Sequence, residues 1–573
     1  MRFPSMGTSD VAGVRGDVPS LPPRLIKTQN GFTVLYRNTY LYSKYRAQDA
    51  HERAVARLAV KPHTLVLCCA PVLGHGLCAL LTRMPPSSFL LCLECDLQLM
   101  HLFMQHAPRQ LITAQNVYVL YTTHITQVLH TVERLTRFPF KQILKIAGSG
   151  AYAQYRNFYD ESEQNIRTLI DTFWINKITL IHSGRNYARN IFSNYITQLQ
   201  NPSHIHHLVP QSIDKPLLIV GAGPALDACR SFCARMKDTI FLLAVDVACN
   251  ALLPDIVPDA VVLLESQFWI EQAFIGTLPR TVALFADLSA FPRAVRAANV
   301  PTHFFFTPYT HAAFIKRAQN AGVVPLSIHP SGSVGLAALQ LALRLRKKGV
   351  PIFHTGLNFS WNKGFTHARG SAPVQRLYHS TTRLHSLYPD CALFPEGIRS
   401  LKGKRYAVQS IPNLVHYAHA YRTLCAEHPH LYDLDQEGLA LTTSHTVSHA
   451  QACEIITHCC TRRHRTHVPI LHTQDAQISF AFSQKPAEDF CLRVKELLTT
   501  ERAALLQLKH MLTTATPSNQ DVIRALIRRS DYLYLHFPDG ERAEYLEYNF
   551  LCRVRAELDF FLKLLSRIPS SLD

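Results

Sequence analysis

The sequence predicts an α/β protein in three folded parts: a Rossmann-like N-terminal domain, a central doubly wound α/β domain and a helical C-terminal domain. Three observations lead there. Short apolar runs at 64–69, 89–93 and 217–220 each precede a turn of small or polar residues, as strands buried on both faces do. From 217 to 355 such runs alternate with helical segments, which is the order of a mainly parallel sheet with helices on both sides. Beyond about Thr446 the apolar spacing becomes that of helices, clearest over 490–512, 522–535 and 545–565.

Taken in order, residues 1–24 are rich in Gly, Ser, Asp and Pro and read as a flexible tail. A first domain over 25–205 opens with a strand at 64–69, a turn at 70–76, a helix from Leu77 and a second strand at 89–93 that ends at Glu94. Helical stretches follow at 161–176 and up to about Leu199; Pro202 with His204, His206 and His207 marks a linker. The central domain, 206–445, places strands at 217–220, 240–245, 260–264, 282–285, 303–306 and 351–355, with helices through Met236 and over 335–347. Residues 446–573 form the helical domain.

Composition narrows the function classes. Of 573 residues 47% are apolar and 17% charged, the balance of a folded chain. A formal charge of +18 points toward an anionic partner. The basic residues are scattered, with short clusters at 344–348 and 462–465 and no recognisable nucleic-acid module, which argues against nucleic acid. The 15 cysteines are odd in number and sit mostly in apolar runs, as reduced core thiols do. Arg2 is not followed by an apolar secretory segment, and the apolar stretch 64–81 is broken by Pro71, Gly74, His75 and Gly76; the expectation is a cytoplasmic enzyme without a membrane span.

Several constellations carry chemistry. Gly221 and Gly223, directly after a buried run and followed by Pro224 and a helix, permit close backbone approach and a phosphate at the helix N-terminus. Leu226 stands where the third glycine of the dinucleotide fingerprint would be, so a plain strand-to-helix turn is the competing reading. Ser331, Gly332 and Ser333 precede another helix and either cap it or bind an anion. Asn358, His367 and Arg369 lie in a polar, Gly-rich stretch after the 351–355 strand; a histidine there suits a general base and an arginine offsets phosphate charge. Asp246 and Glu265 end successive strands, where carboxylates hold a ribose, orient a base, bind Mg²⁺ or are merely solvated. The group Cys453, His458, Cys459, Cys460, His464 and His467 matches no standard zinc spacing, and no metal is assigned to it. The 70–76 turn with Glu94 outlines a degenerate nucleotide or methyl-donor scaffold.

In their order, Leu218 to Asp227, Ala244-Val245-Asp246, Val257-Pro258-Asp259, Ser331 to Val334 and Gly356 to Gly370 resemble the central domain of the motility accessory factor (Maf) family. That domain is also similar to archaeal 6-hydroxymethylpterin diphosphokinase. Tyr40 to Tyr45, the 64–76 unit and Gly184-Arg185 resemble the family's N-terminal region, so the likeness spans most of the chain. The resemblance implies a sialyltransferase-like central fold and transfer of a nonulosonic acid, of the pseudaminic or legionaminic type, from a CMP-activated donor to Ser or Thr of flagellin. It gives Gly221, Gly223 and Pro224 the donor loop, and Ser331, Gly332 and Ser333 the donor phosphate or sugar carboxylate. Asp246 and Asn358 orient nucleoside or sugar, His367 acts as base, and Glu265 and Arg369 complete the set. Departures from the family pattern are Ala225 for Ser, Ser331 for Gly, Glu265-Ser266 for Asp-Pro and Asn358 for Asp. Two alternatives stand beside this: a pterin diphosphokinase using Mg²⁺, and a non-catalytic flagellin-binding factor.

Overall fold

The apolar runs form strands where the alternation places them. The computed structural model describes residues 22–570 except 136–139, 275–277, 311, 363–365, 385–396, 442–444, 467–482, 485–487 and 515–518, so the tail at 1–24 lies almost wholly outside the described residues. The chain divides into two compact units, Met1–Ile178 and Thr179–Asp573.

The first unit opens with an antiparallel meander, β1 (Arg24–Thr28), β2 (Gly31–Tyr36) and β3 (Thr39–Tyr40). Its main sheet is parallel, ordered β6-β5-β4-β7 from β4 (Thr64–Cys69), β5 (Phe89–Glu94), β6 (Val117–Tyr121) and β7 (Gln142–Ala147). Every residue of β4 and β5 is buried, because period-two alternation feeds two cores. Leu65, Leu67, Leu91 and Leu93 join one apolar cluster, and Val66, Cys68, Leu90 and Cys92 the other. This is the Rossmann-like arrangement expected from 64–94.

The second unit is built on an 11-stranded sheet. Its strands are β8 (Ile205–Leu208), β9 (Leu217–Val220), β10 (Phe241–Val245), β11 (Ala260–Leu263), β12 (Ala283–Asp287), β13 (Thr302–Phe306), β14 (Leu326–Ser327) and β15 (Ile352–Thr355). A separate hairpin, β16 (Arg399–Lys402) with β17 (Ala407–Ser410), precedes β18 (Leu431–Asp433), β19 (His445–Thr446) and β20 (Ser483–Gln484) of the main sheet. The order is β19-β18-β15-β9-β10-β11-β12-β13-β8-β20, with β14 beside β13; all pairs are parallel except β20 with β8. The four residues of β9 are fully buried. At ~1.5–3 kcal/mol for each such side chain, their burial anchors the loop that follows.

Four expectations change. The helical stretches at 161–176 and near 199 are one 45-residue helix, Arg156–Gln200, within which the two units divide, whereas the sequence places that border at 205. The linker at 202–207 is a turn followed by β8, which pairs in register with β13, His206 opposite His303; three histidines within four residues masked a strand whose ends, Ile205 and Leu208, are buried. The helix expected over 522–535 ends at Arg529 and continues as a 3-10 turn, Asp531–Leu533. The C-terminal helices Glu488–Thr513, Gln520–Arg529 and Tyr548–Leu565 share the second unit's apolar core through Leu498, Ile527 and Phe561. The described cysteines are free thiols, most of them buried. Among the described residues no helix is long and apolar enough to cross a membrane.

Candidate functional site

Strand order locates the crevice. From β9 the chain steps outward through β10, β11, β12 and β13, then returns to lay β15 on the other side of β9. The loops after β9 and β15 therefore diverge, and in open α/β sheets ligands bind at such a switch point beyond the carboxyl ends of the strands. Thr355 pairs with Val220, which sets Gly356 opposite Gly221.

The two loops interlock. Gly221 N donates to Thr355 O (2.8 Å), Gly223 N to Gly356 O (2.9 Å) and Ala225 N to Asn358 Oδ1 (3.2 Å), while Asn358 Nδ2 donates to Glu437 O (3.2 Å). A Cβ on Gly221 would overlap Gly356 O and lie 2.6 Å from Leu357 Cδ2; one on Gly223 would overlap Asn358 Oδ1. Close approach is what these glycines supply, and the neighbour they approach is the β15 loop. The amides of Leu226, Asp227 and Ala228 at the start of the next helix bond back to Gly223, Pro224 and Ala225 carbonyls. The phosphate cradle expected at that helix start is thus already taken up by the protein itself.

The open amides lie elsewhere. Leu357 wedges between Gly221 and Gly335, where an added Cβ would sit 2.5 Å from Leu357 Cδ2, and so brings the start of helix Val334–Leu345 to the switch point. Ser333 occupies the cap position with no side-chain cap bond, so the capping alternative is not realised by its hydroxyl. In this first turn the amides of Val334, Gly335 and Leu336 have no carbonyl partner within their own helix, and an uncapped helix N-terminus favours an anion. Ser331 Oγ accepts from Gln340 Nε2 (3.3 Å), and exposed Gly332 takes φ +68° against Tyr417.

The remaining candidates lie on the segments that follow β10, β11 and β15. Ala368 N donates to Ala222 O (2.8 Å) and Arg369 N to Asp227 Oδ1 (3.0 Å), which holds the 366–370 segment over the Gly221 loop; Gly370 faces Asn250 and Ala251 of helix Asp246–Leu252. His367 is partly buried, its Nδ1 2.9 Å from Thr366 Oγ1. Burial, then the charge of Arg376, holds its pKa below the ordinary imidazole value, so the ring is neutral and fit to accept a proton. Arg369 is 80% exposed. Asp246 directly follows β10 as the first residue of helix Asp246–Leu252, its side chain buried and Oδ1 accepting from Val247 N (2.7 Å). Burial, augmented by the charge of Glu265, raises its carboxyl to about 7. Glu265 is exposed beyond β11, its Oε1 accepting from Gln267 N (2.9 Å). Asn190 and Asn194, one helical turn apart, donate to the carbonyls of Ser266 and Ser289 and of Leu288 and Ala290, all at 2.9 Å, and so fix the loops after β11 and β12.

One group lies outside the sequence reading. His354, Asp433 and Asp435 are buried at the ends of β15 and β18, each with a ligand atom within 4.8 Å of the others'. Asp435 Oδ1 accepts from Thr355 Oγ1 (2.7 Å) and Gly356 N (3.2 Å), so it holds the peptide that meets the Gly221 loop. The signal available was a carboxylate pair two residues apart after an apolar Leu431; β18 is three residues long, too short for its periodicity to show. Of the Cys/His group, Cys453 to Cys460 lie on helix His449–Thr466, with Cys453 Sγ 3.9 Å from Met236 Sδ; the His464 side chain and His467 are outside the described residues.

Fold and crevice define a doubly wound α/β domain with a switch-point site. Residues 185–364 match the family described as 6-hydroxymethylpterin diphosphokinase MptE-like. Across nearly its whole length the chain also shares the fold of a solved structure, the MAf glycosyltransferase from Magnetospirillum magneticum AMB-1: TM-score 0.56, 13% identity, 95% of this chain and 91% of that one. The chain therefore carries an MptE-like domain within a Maf-type fold, as the sequence motifs imply.

Proposed function

We propose that this chain is a cytoplasmic glycosyltransferase that moves a nonulosonic acid, of the pseudaminic or legionaminic type, from a CMP-activated donor to Ser or Thr of flagellin. The observation that carries the reading is the uncapped helix N-terminus at Ser333, brought to the β9/β15 switch point by the packing of Leu357 against Gly335. The fold shared with a MAf glycosyltransferase supports the same reading. A CMP leaving group departs as an anion and needs little protonation, so the site has two tasks. The Ser333–Leu336 amides hold the donor phosphate, and Asp246 or His367 takes the acceptor proton. The test is CMP binding to the purified chain, followed by intact mass of flagellin from cells with and without the gene. Loss of a sugar-sized mass from Ser/Thr peptides is expected; unchanged mass refutes the acceptor.

The MptE-like match favours a second reading, diphosphate transfer to a pterin. There Asp246 and Glu265, which follow the neighbouring strands β10 and β11, would hold Mg²⁺, whose chemistry is to neutralise ATP phosphates. Tight MgATP binding without CMP binding would select it.

A further inference from the structure

His354, Asp433 and Asp435 offer the ligand set of a divalent metal, yet a cation of the protein's own already stands among them. Lys404, from the turn of the β16–β17 hairpin, puts its ammonium 2.6 Å from Asp433 Oδ2 and donates to the Asp435 carbonyl, with only 14% of its side chain exposed. Its backbone is fixed there, since Lys404 N donates to Gly438 O (2.9 Å). Asp433 Oδ1 accepts from Asp435 N (2.9 Å), and His354 Nε2 is spent on Tyr421 OH (2.5 Å). Among the described residues two buried atoms of the cluster accept or donate no hydrogen bond, His354 Nδ1, which lies 3.8 Å from Asp433 Oδ1, and Asp435 Oδ2. They are the atoms that a metal would engage if the ammonium left.

We propose that the Lys404 ammonium is the resident cation of the His354–Asp433–Asp435 cluster and that, through Asp435 and Gly356, it locks the β15 loop onto the Gly221 loop. Lys404 is thus a positioning residue for the donor crevice, and the cluster holds no metal while the lysine is present. The chain of contacts is continuous. Lys404 neutralises Asp433, Asp433 orients the Asp435 backbone, Asp435 holds Gly356 N, and Gly356 O receives Gly223 N. Withdrawing the ammonium leaves two buried carboxyls without a counter-charge, a state that is relieved by proton uptake, loop movement or capture of a cation.

The part of this inference that concerns the crevice rests on the donor reading; the part that concerns the cation does not. The experiment uses the full chain as wild type, Lys404→Ala and Lys404→Met, with Zn²⁺ alone as metal probe and CMP as nucleotide probe. After Zn²⁺ exposure and gel filtration, wild type is expected to retain no stoichiometric zinc and to unfold at the same temperature with and without chelator. Lys404→Ala, with the cluster vacated, is expected to retain one equivalent. Lys404→Met, which keeps the packing of the stem, is expected to weaken CMP binding by about tenfold, or ~1.4 kcal/mol. One equivalent of zinc in wild type overturns the proposal, as does a Lys404→Met protein that binds CMP like wild type. Absence of CMP binding by wild type itself refutes the donor reading, and zinc uptake then still decides the role of Lys404. If Lys404→Ala does not fold, the wild-type zinc and chelator measurements decide that part.

Discussion

Replacing Gly223 by alanine adds one methyl group where two loops meet. The new Cβ would overlap Asn358 Oδ1 and lie 2.6 Å from Gly356 O. Neither neighbour is the free end of a flexible side chain: Asn358 is 6% exposed and bonded to Glu437 O, and Gly356 N is bonded to Asp435. The loops must therefore part. Overpacking a tight contact costs ~1–3 kcal/mol. Stretching the Gly223–Gly356 and Ala225–Asn358 bonds adds ~0.5–1.5 kcal/mol each, for a total of about 2–6 kcal/mol. Gly349→Ala is the control, because Gly349 has φ +83° but nothing within 4 Å of an added Cβ, so it costs only the ~1–2 kcal/mol of a left-handed residue. Urea unfolding ranks the two, and CMP titration of the folded protein reads the crevice. Gly223→Ala is expected to be the less stable and to lose donor affinity by about tenfold or more, ~1.4 kcal/mol. If it matches Gly349→Ala in stability and wild type in CMP affinity, the interlocked-loop account is wrong.

Three further perturbations have defined outcomes. Asp246 is buried with its carboxyl raised to about 7. The folded state therefore holds this proton more tightly than the unfolded chain; the associated stability is full below ~4 and is lost as pH rises through about 7. Asp246→Asn should accordingly gain stability over wild type as pH goes from 5 to 8, by about 3 kcal/mol at most, while transfer activity falls; a thermal-shift difference flat with pH would contradict this. If Asp246 is the base, wild-type kcat/KM rises through the same pH window. Asn190→Ala strands the Ser266 and Ser289 carbonyls, and chemical denaturation should register a loss of about 2–4 kcal/mol. Glu501, wholly buried, accepts from Arg317 at 2.7 and 2.9 Å; Glu501→Ala leaves that guanidinium without its partner, and a loss of ~3–5 kcal/mol is expected by calorimetry.

Much of this molecule was legible before its structure. The strands at 64–69, 217–220 and 352–355 announce themselves because strands buried on both faces must be continuously apolar. Gly221, Gly223, Ser333, Asn358, His367 and Asp246 stand out because a parallel sheet puts its chemistry just past its strand ends. The order of these motifs also pointed to the fold shared with the solved MAf glycosyltransferase.

What only tertiary structure decided is which groups meet. Glycine in a sequence signals close approach but not what approaches, and here the partner of Gly221 and Gly223 is the β15 loop, 135 residues on at Gly356. A serine before a helix signals a cap or an anion site, and only the structure shows that the Ser333 side chain makes no cap bond. His354, Lys404, Asp433 and Asp435 carry no shared period or motif. They converge because β15 and β18 pair in parallel and the turn of the β16–β17 hairpin is bonded to the segment after β18. Sequence records local periodicity, whereas the register of distant strands selects the charges that must neutralise one another once water is excluded.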